Sequence, residues 1–309
     1  MGVGLDGDQG LSAAPGIEAG GRSVGRRLAD RLHGRRRTQV GLLLAGPLGW
    51  LGLAYLGSLA VLFVAAFWRL DPFTSEVVHS YGTQNFQTIA EGSTYRTIAG
   101  RTFLIAALVT VADVLLAFPI AFYMAKVARP RIKGLLVVAV LMPLWSSYLV
   151  KVYAWRTILS TEGILNWALD PLGLTGPGFG NVATWLVFTY LWLPYMIIPV
   201  YAGLERLPDS MFDASGDLGG RPWTTFRRVV LPLVFPAVVA GSIFTFSLTL
   251  GDYIAPQLVS STQFIGNVVY QNVGVANNLP LASAFATVPV VVMIVYLLGA
   301  RRLGAFENL

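Results

Sequence analysis

ERLPDSMFDASGDLGGRPWTTFRRVVLP, residues 205–232, lies between long apolar runs and is the most polar part of the region they bracket. It carries four acids (Glu205, Asp209, Asp213, Asp217) and four arginines (Arg206, Arg221, Arg227, Arg228). Pro208 and Pro222 stand where two short helices start, because the first helical turn leaves its N–H groups unused and proline has none to lose. Gly219 and Gly220 supply the turn between them. The stretch therefore predicts a helix, a glycine turn and a second helix, forming a rigid polar platform at a membrane face. Its residue types suit docking better than catalysis.

The flanks make it a membrane platform. Of 309 residues, 55% are hydrophobic and only 12% charged, and the mean hydropathy is +0.63. An ordinary soluble protein of this size is not so apolar, whereas transmembrane runs account for the balance. The net charge of +6 does not point to nucleic acid, because the basic residues cluster beside apolar spans, where they orient helices in the bilayer. Absence of cysteine excludes disulfides, thiolate metal sites and thiol nucleophiles. The two histidines, His33 and His79, are far apart, so no metal site is expected. LGGRP lacks the lysine and Ser/Thr of a phosphate-cradling loop and follows no strand, so the chain is not expected to hydrolyse nucleotide. No catalytic residue is assigned.

Along the chain, residues 1–39 read as a disordered lead and a basic cytoplasmic segment, with an interfacial amphipathic stretch over 24–32 as an alternative. A secretory signal would have a shorter basic region and a small-residue cleavage site. Six spans follow, over residues 40–67, 97–125, 135–153, 182–201, 233–250 and 281–298, making 40–305 an all-α polytopic membrane domain. The first is longer than the ~20 residues needed to cross, so it tilts or protrudes. Pro194 and Pro199 break the regularity of the fourth. Residues 68–95, 160–180 and 251–280 read as connections on one side; the loop 126–134, the platform and a tail over 306–309 fall on the other. Lysine and arginine number seven before the first span, four in the 126–134 loop, four in the platform and two, Arg301 and Arg302, after the last span. Only Arg69, Arg96 and Arg156 lie on the opposite side, with Arg101 and Lys151 inside spans near it. Seventeen against three places both termini and the platform in the cytoplasm.

Few polar residues interrupt the spans. Asp113, in the middle of the second, faces protein or a water-filled route, either as a pathway residue or as a carboxyl that fixes helix packing. Lys151 is near enough to a span end to snorkel. Asp252, beside Tyr253 at the external mouth, either attracts a cation or caps the span. Trp145, Tyr148 and Tyr253 join the pathway candidates through cation–π chemistry, although interfaces enrich Trp and Tyr without any ligand.

The spacing inside the platform carries a resemblance. Asp213-Ala214-Ser215 is followed after three residues by Gly219, and after nine more by Val229-Val230-Leu231-Pro232. This resembles the cytoplasmic coupling motif of permease subunits of ATP-binding-cassette importers: an acid-Ala-Ala trio, a glycine and an Ile-x-Leu-Pro ending. Asp replaces Glu, Ser the second Ala, and Val the Ile. Over residues 40–305 the six-span arrangement looks like the six-helix subunits of type I importers. GDYIAPQLVSS (251–261), IGNVVYQN (265–272) and NNLPLASA (277–284) look most like the spermidine/putrescine branch, in particular its B-type permease.

That resemblance implies that the first platform helix inserts into a groove on an ATPase subunit, with Asp213, Ala214, Ser215, Gly219, Leu231 and Pro232 in the coupling segment. It implies an inner-membrane assembly with a second homologous permease chain, two ATPase subunits and an extracytoplasmic solute-binding protein. ATP and Mg are then used by the ATPase, and this chain binds no cofactor and no nucleic acid. Polyamines are the expected cargo, with ferric iron, thiamine, sulfate or sugar as alternatives. A secondary transporter or channel would show inverted repeats and buried charge pairs, and would leave the spaced platform unexplained. A membrane enzyme would need a cluster of reactive side chains that the composition does not offer.

Overall fold

The computed structural model describes residues 36–302. The lead, the 24–32 stretch, His33 and the 306–309 tail lie outside the described residues. Two compact units divide at Ala60. α1 (Arg36–Trp50) runs through a π-helical turn (Leu51–Leu56) into α2 (Gly57–Ala65), within which the division falls. Leu43–Ala65 is long and apolar enough to cross a membrane, and Leu43, Trp50 and Leu53 are exposed.

In the second unit, after the end of α2, β1 (Arg69–Leu70) pairs antiparallel with β2 (Val77–Val78) in a hairpin. Asp71 Oδ1 pins its turn by accepting the N–H groups of Phe73 (2.8 Å) and Thr74 (3.1 Å). Asn85 at the start of α3 (Gln84–Glu91) donates to the carbonyls of Ala66 and Trp68, so the connection over 68–95 is ordered there.

α4 (Ser93–Phe122) continues through a π turn (Tyr123–Val127), giving an unbroken run of 35 residues. The expected third span is not one helix. α5 (Pro130–Trp145) and α6 (Tyr148–Leu159) meet at 92°. Ser146 and Ser147 adopt extended backbone, and side chains take over the carbonyl of Pro143, with Ser146 Oγ at 2.8 Å and Lys151 Nζ at 3.0 Å. Lys151 thus holds the bend instead of reaching for the interface. α7 (Ile164–Leu169) and a 3₁₀ turn (Asp170–Leu172) follow.

α8 (Asn181–Glu205) corrects a second expectation, since it passes through Pro194 and Pro199 without a break. Transmembrane helices absorb proline because neighbouring groups satisfy the freed carbonyls. After α9 (Ser210–Asp217) comes a third correction. α10 (Pro222–Thr225) is not a separate short helix; it runs through a π turn (Phe226–Val230) into α11 (Leu231–Gly251) as one run of 30 residues. Pro232 has no N–H for the carbonyl of Arg228 and its ring crowds that carbonyl, which the widened turn accommodates. α12 (Ile254–Val259), α13 (Ile265–Gly274) and α14 (Leu279–Arg302) complete the described residues. Among the described residues five helical runs are long and apolar enough to span, six when the bent α5–α6 pair counts as one.

α4, α8 and α11 form the centre. One cluster joins Ile105 and Val109 of α4 to Val187, Phe188, Leu191 and Trp192 of α8. Another joins Ala117, Ala121 and Met124 to Met196, Val200 and Leu204, with Val230 and Val234 beside them. Pairings that advance together along both helices mean that α4 and α8 run in the same sense. α8 and α11 approach closely through glycine: a Cβ on Gly203 would lie 2.6 Å from Cβ of Ala237.

Candidate functional site

The platform is built on the end of α8. Arg206–Asp209 turns the chain, and α9 then presents Asp213 and Ala214 outward while Ser215 is half-buried. The helix stops because Gly219 takes φ +76°, a left-handed conformation that costs any residue with a Cβ about 1–2 kcal/mol. The N–H of Gly219 donates to the carbonyl of Gly216 and that of Gly220 to the carbonyl of Ser215, both at 2.8 Å, so the last turn of α9 does not fray. Ser215 Oγ and Thr225 Oγ1 lie 2.7 Å apart and tie α9 to α10. Ser at this position therefore has a structural use that alanine lacks. Behind α9 a cavity of about 300 Å³ is lined by Phe122, Phe212, Gly216, Pro222, Thr225 and Phe226. Leu231 and Pro232 sit in the first turn of α11 and not on α9.

Sequence reasoning missed four residues here. Leu218 and Trp223 are exposed apolar side chains flanking Gly219. Lys126 donates to the Leu207 carbonyl (2.6 Å) and to Asp209 Oδ1 (2.8 Å), and Lys133 donates to Glu205 Oε1 (2.5 Å). In the sequence both lysines count only as topology signals, and no short-range pattern links them to residues more than 70 positions away.

The pathway candidates separate. Asp113 on α4 is fully buried, and neither carboxyl oxygen has a hydrogen-bond partner among the described residues. It lies one helical turn from Val109 and one from Ala117, where the two apolar clusters meet. One turn away, Thr110 Oγ1 accepts a long bond (3.4 Å) from Thr245 Oγ1 on α11. Asp252 stands at the C-cap position of α11, but its side chain serves the next helix. Its Oδ1 accepts the N–H groups of Ile254 (2.8 Å) and Ala255 (3.1 Å) and so caps the next helix, α12. Its Oδ2 accepts the Tyr148 hydroxyl, joining α6 to the 252–254 turn.

Tyr148 in turn stacks at 6.2 Å on Trp192, whose indole Nε1 is buried without a partner among the described residues. Tyr253 stacks on Tyr270 at 4.6 Å. Trp145 is 82% exposed and stands outside this group. The structure thus brings Tyr148 and Asp252 together, adds Trp192, and leaves Asp113 at a different level of the helices. Among the described residues no three His, Asp or Glu side chains converge as a metal site would require.

A polytopic helical unit with an exposed, glycine-terminated helix between two spans is the architecture of a transport permease. Residues 98–305 match the family of binding-protein-dependent transport system inner membrane components, and the chain belongs to that family. It is 46% identical to the inner membrane ABC transporter permease protein YdcU of Escherichia coli, over 87% of this chain and 90% of that one. It is 29% identical to the spermidine/putrescine transport system permease protein PotB of Haemophilus influenzae, over 62% of this chain and 68% of the relative. In fold it matches a chain of a bacterial alginate ABC transporter in complex with an alginate pentasaccharide-bound periplasmic protein. That match has a TM-score of 0.69 and 16% identity, covering 89% of this chain and 96% of the other. The protein is a multi-pass inner-membrane permease subunit of an ABC importer.

Proposed function

We propose that this permease subunit imports polyamines of the spermidine and putrescine kind, driven by ATPase partners that dock on α9. On this reading the chain pairs with a second homologous permease, two ATPase subunits use ATP and Mg, and a solute-binding protein delivers cargo from outside. Both termini and α9 face the cytoplasm, and this chain makes no covalent intermediate. The domain division is a cytoplasmic segment over 1–39, a permease domain over 40–305 and a cytoplasmic tail over 306–309. Asp213, Ala214, Ser215 and Gly219 form the ATPase contact, with Leu231 and Pro232 anchoring it to the span.

The observation that carries the cargo is the Asp252–Tyr148 pair with Trp192 stacked behind it. A carboxylate beside aromatic faces is the chemistry that receives alkylammonium groups. Asp113, on α4 at a different level, offers a second carboxylate to a chain of spaced cations. The likeness to PotB supports the same cargo, while the name of the 46%-identical relative specifies no solute.

The test is ATPase stimulation and uptake by the reconstituted complex with spermidine, putrescine, maltose, thiamine, sulfate and ferric ion. Polyamines are expected to stimulate both. Stimulation by another solute with none from polyamines moves the protein to another branch of the same importers.

A further inference from the structure

Lys126 sits in the π turn that ends α4, and its side chain is only 12% exposed. Its ammonium meets the Leu207 carbonyl at 2.6 Å and Asp209 Oδ1 at 2.8 Å, and stands 5.4 Å from the Phe212 ring centroid on α9. Lys133, in the first turn of α5, meets Glu205 at the end of α8. The short link between α8 and α9 is thereby held from α4 on one side and from α5 on the other.

A topology signal needs only an exposed charge. Lys126 instead gives up hydration for a main-chain carbonyl past the last turn of α8, where carbonyls lack helical partners. A charged donor bonded to a carbonyl and a carboxylate together makes a stronger tie than an exposed ion pair. Lys133 is more exposed than Lys126 (27% against 12%), while Asp209 at 87% is more exposed than Glu205 at 46%, so the bond to the Leu207 carbonyl, and not the carboxylate, sets the Lys126 tie apart.

We propose that Lys126 is a positioning residue for transport: a strut that holds the 206–209 link against α4, so that displacement of α9 is delivered to the packed α4–α8 pair. Without the strut the bend at Arg206–Asp209 absorbs the movement. This assignment rests on α9 being the ATPase-coupling helix. Because Leu207 contributes its backbone, Asp209→Ala removes only part of the tie, whereas Lys126→Met removes all of it.

The experiment uses the full complex in proteoliposomes. It reads the stimulation of ATP hydrolysis by the solute-binding protein carrying its endogenous solute. Lys126→Met is expected to lower that stimulation roughly two- to thirtyfold, the range of mutations that alter coupling between sites. Asp209→Ala is expected to lower it less, and Lys126→Arg to restore most of it. A Lys126→Met chain that pairs with its partner permease but no longer captures the ATPase counts the same way, provided Lys126→Arg restores capture. Should Lys126→Met fail to reach the membrane, Lys126→Gln, which keeps N–H donors but no charge, replaces it with the same expectation. Unchanged stimulation in the assembled variant overturns the proposal. Gly219→Trp separates the two assignments. If it uncouples while Lys126→Met does not, only the strut is lost; if it too leaves stimulation intact, α9 is not the coupling helix.

Discussion

Asp113 and Asp252 are both carboxylates in an apolar surrounding, yet their neighbours give them different work. Asp252 has two backbone N–H donors and a tyrosine hydroxyl, so its charge is distributed over fixed dipoles and it orders the start of α12. Asp113 has no donor among the described residues and is fully buried on a membrane-spanning helix. Unpaired carboxyls at such positions are costly, and pairing with a passing cation relieves the cost. A charge-assisted hydrogen bond to an ammonium is worth about 1.5–3 kcal/mol. Asp113→Asn, which keeps the shape and removes the charge, is therefore expected to raise the apparent KM for putrescine uptake roughly ten- to a hundredfold. Uptake kinetics in proteoliposomes check this, and an unchanged KM assigns Asp113 to helix packing alone. Either use was legible in the sequence as a polar residue in an apolar run. The donors around Asp252 were not, because one of them, Tyr148, comes from a helix 104 positions away.

At the scale of elements, the packing of α8 on α11 depends on the absence of a side chain. A methyl group at Gly203 would stand 2.6 Å from the Ala237 Cβ, closer than carbon atoms approach, and Ala237 has no rotamer by which to retreat. Gly203→Ala is expected to destabilise the permease by about 1–3 kcal/mol through overpacking. Adding Ala237→Gly returns the space, so the double variant is expected to recover most of the loss. Thermal unfolding of the detergent-solubilised complex measures both, and failure of the second change to compensate would remove this contact as the cause. The bend between α5 and α6 is a second element-scale feature, and its origin differs. Composition and length alone make one span of residues 135–153. Two serines in extended backbone and a lysine bonded to the Pro143 carbonyl divide it at 92°. Hydropathy averages over such a break because the polar groups that create it are few and satisfy one another.

For the whole molecule, the charge asymmetry is the ground for the proposed orientation, with α9 in the cytoplasm and the β1–β2 hairpin outside. The chain has no cysteine, so single cysteines report sidedness without a background. Leu218→Cys, at a position 90% exposed beside the α9 turn, is expected to react with a membrane-impermeant maleimide only in inside-out vesicles. Phe73→Cys, at a position 95% exposed in the hairpin turn, is expected to react only from outside. The reverse pattern would invert the orientation.

Some of this was determined by the sequence alone. A membrane protein of about six spans follows from composition and run length, since burying that many apolar residues in a soluble chain of this size is not feasible. The placement of Asp213 and Gly219 on a helix and its terminating turn follows from local chemistry, because a glycine at φ +76° relates to its immediate neighbours. Tertiary structure decided the rest. Pro194 and Pro199 read locally as breaks, and only packing against α4 and α11 keeps α8 continuous through them. The second half of the platform became the root of α11 because a π turn absorbs Pro232. Lys126, one basic residue among several in a short loop, acquired a carbonyl and a carboxylate from the start of residues 205–232. The physical reason is common to all three. Local preference is set by a residue and its next few neighbours, whereas a buried polar group is satisfied by whatever the fold brings within about 3 Å.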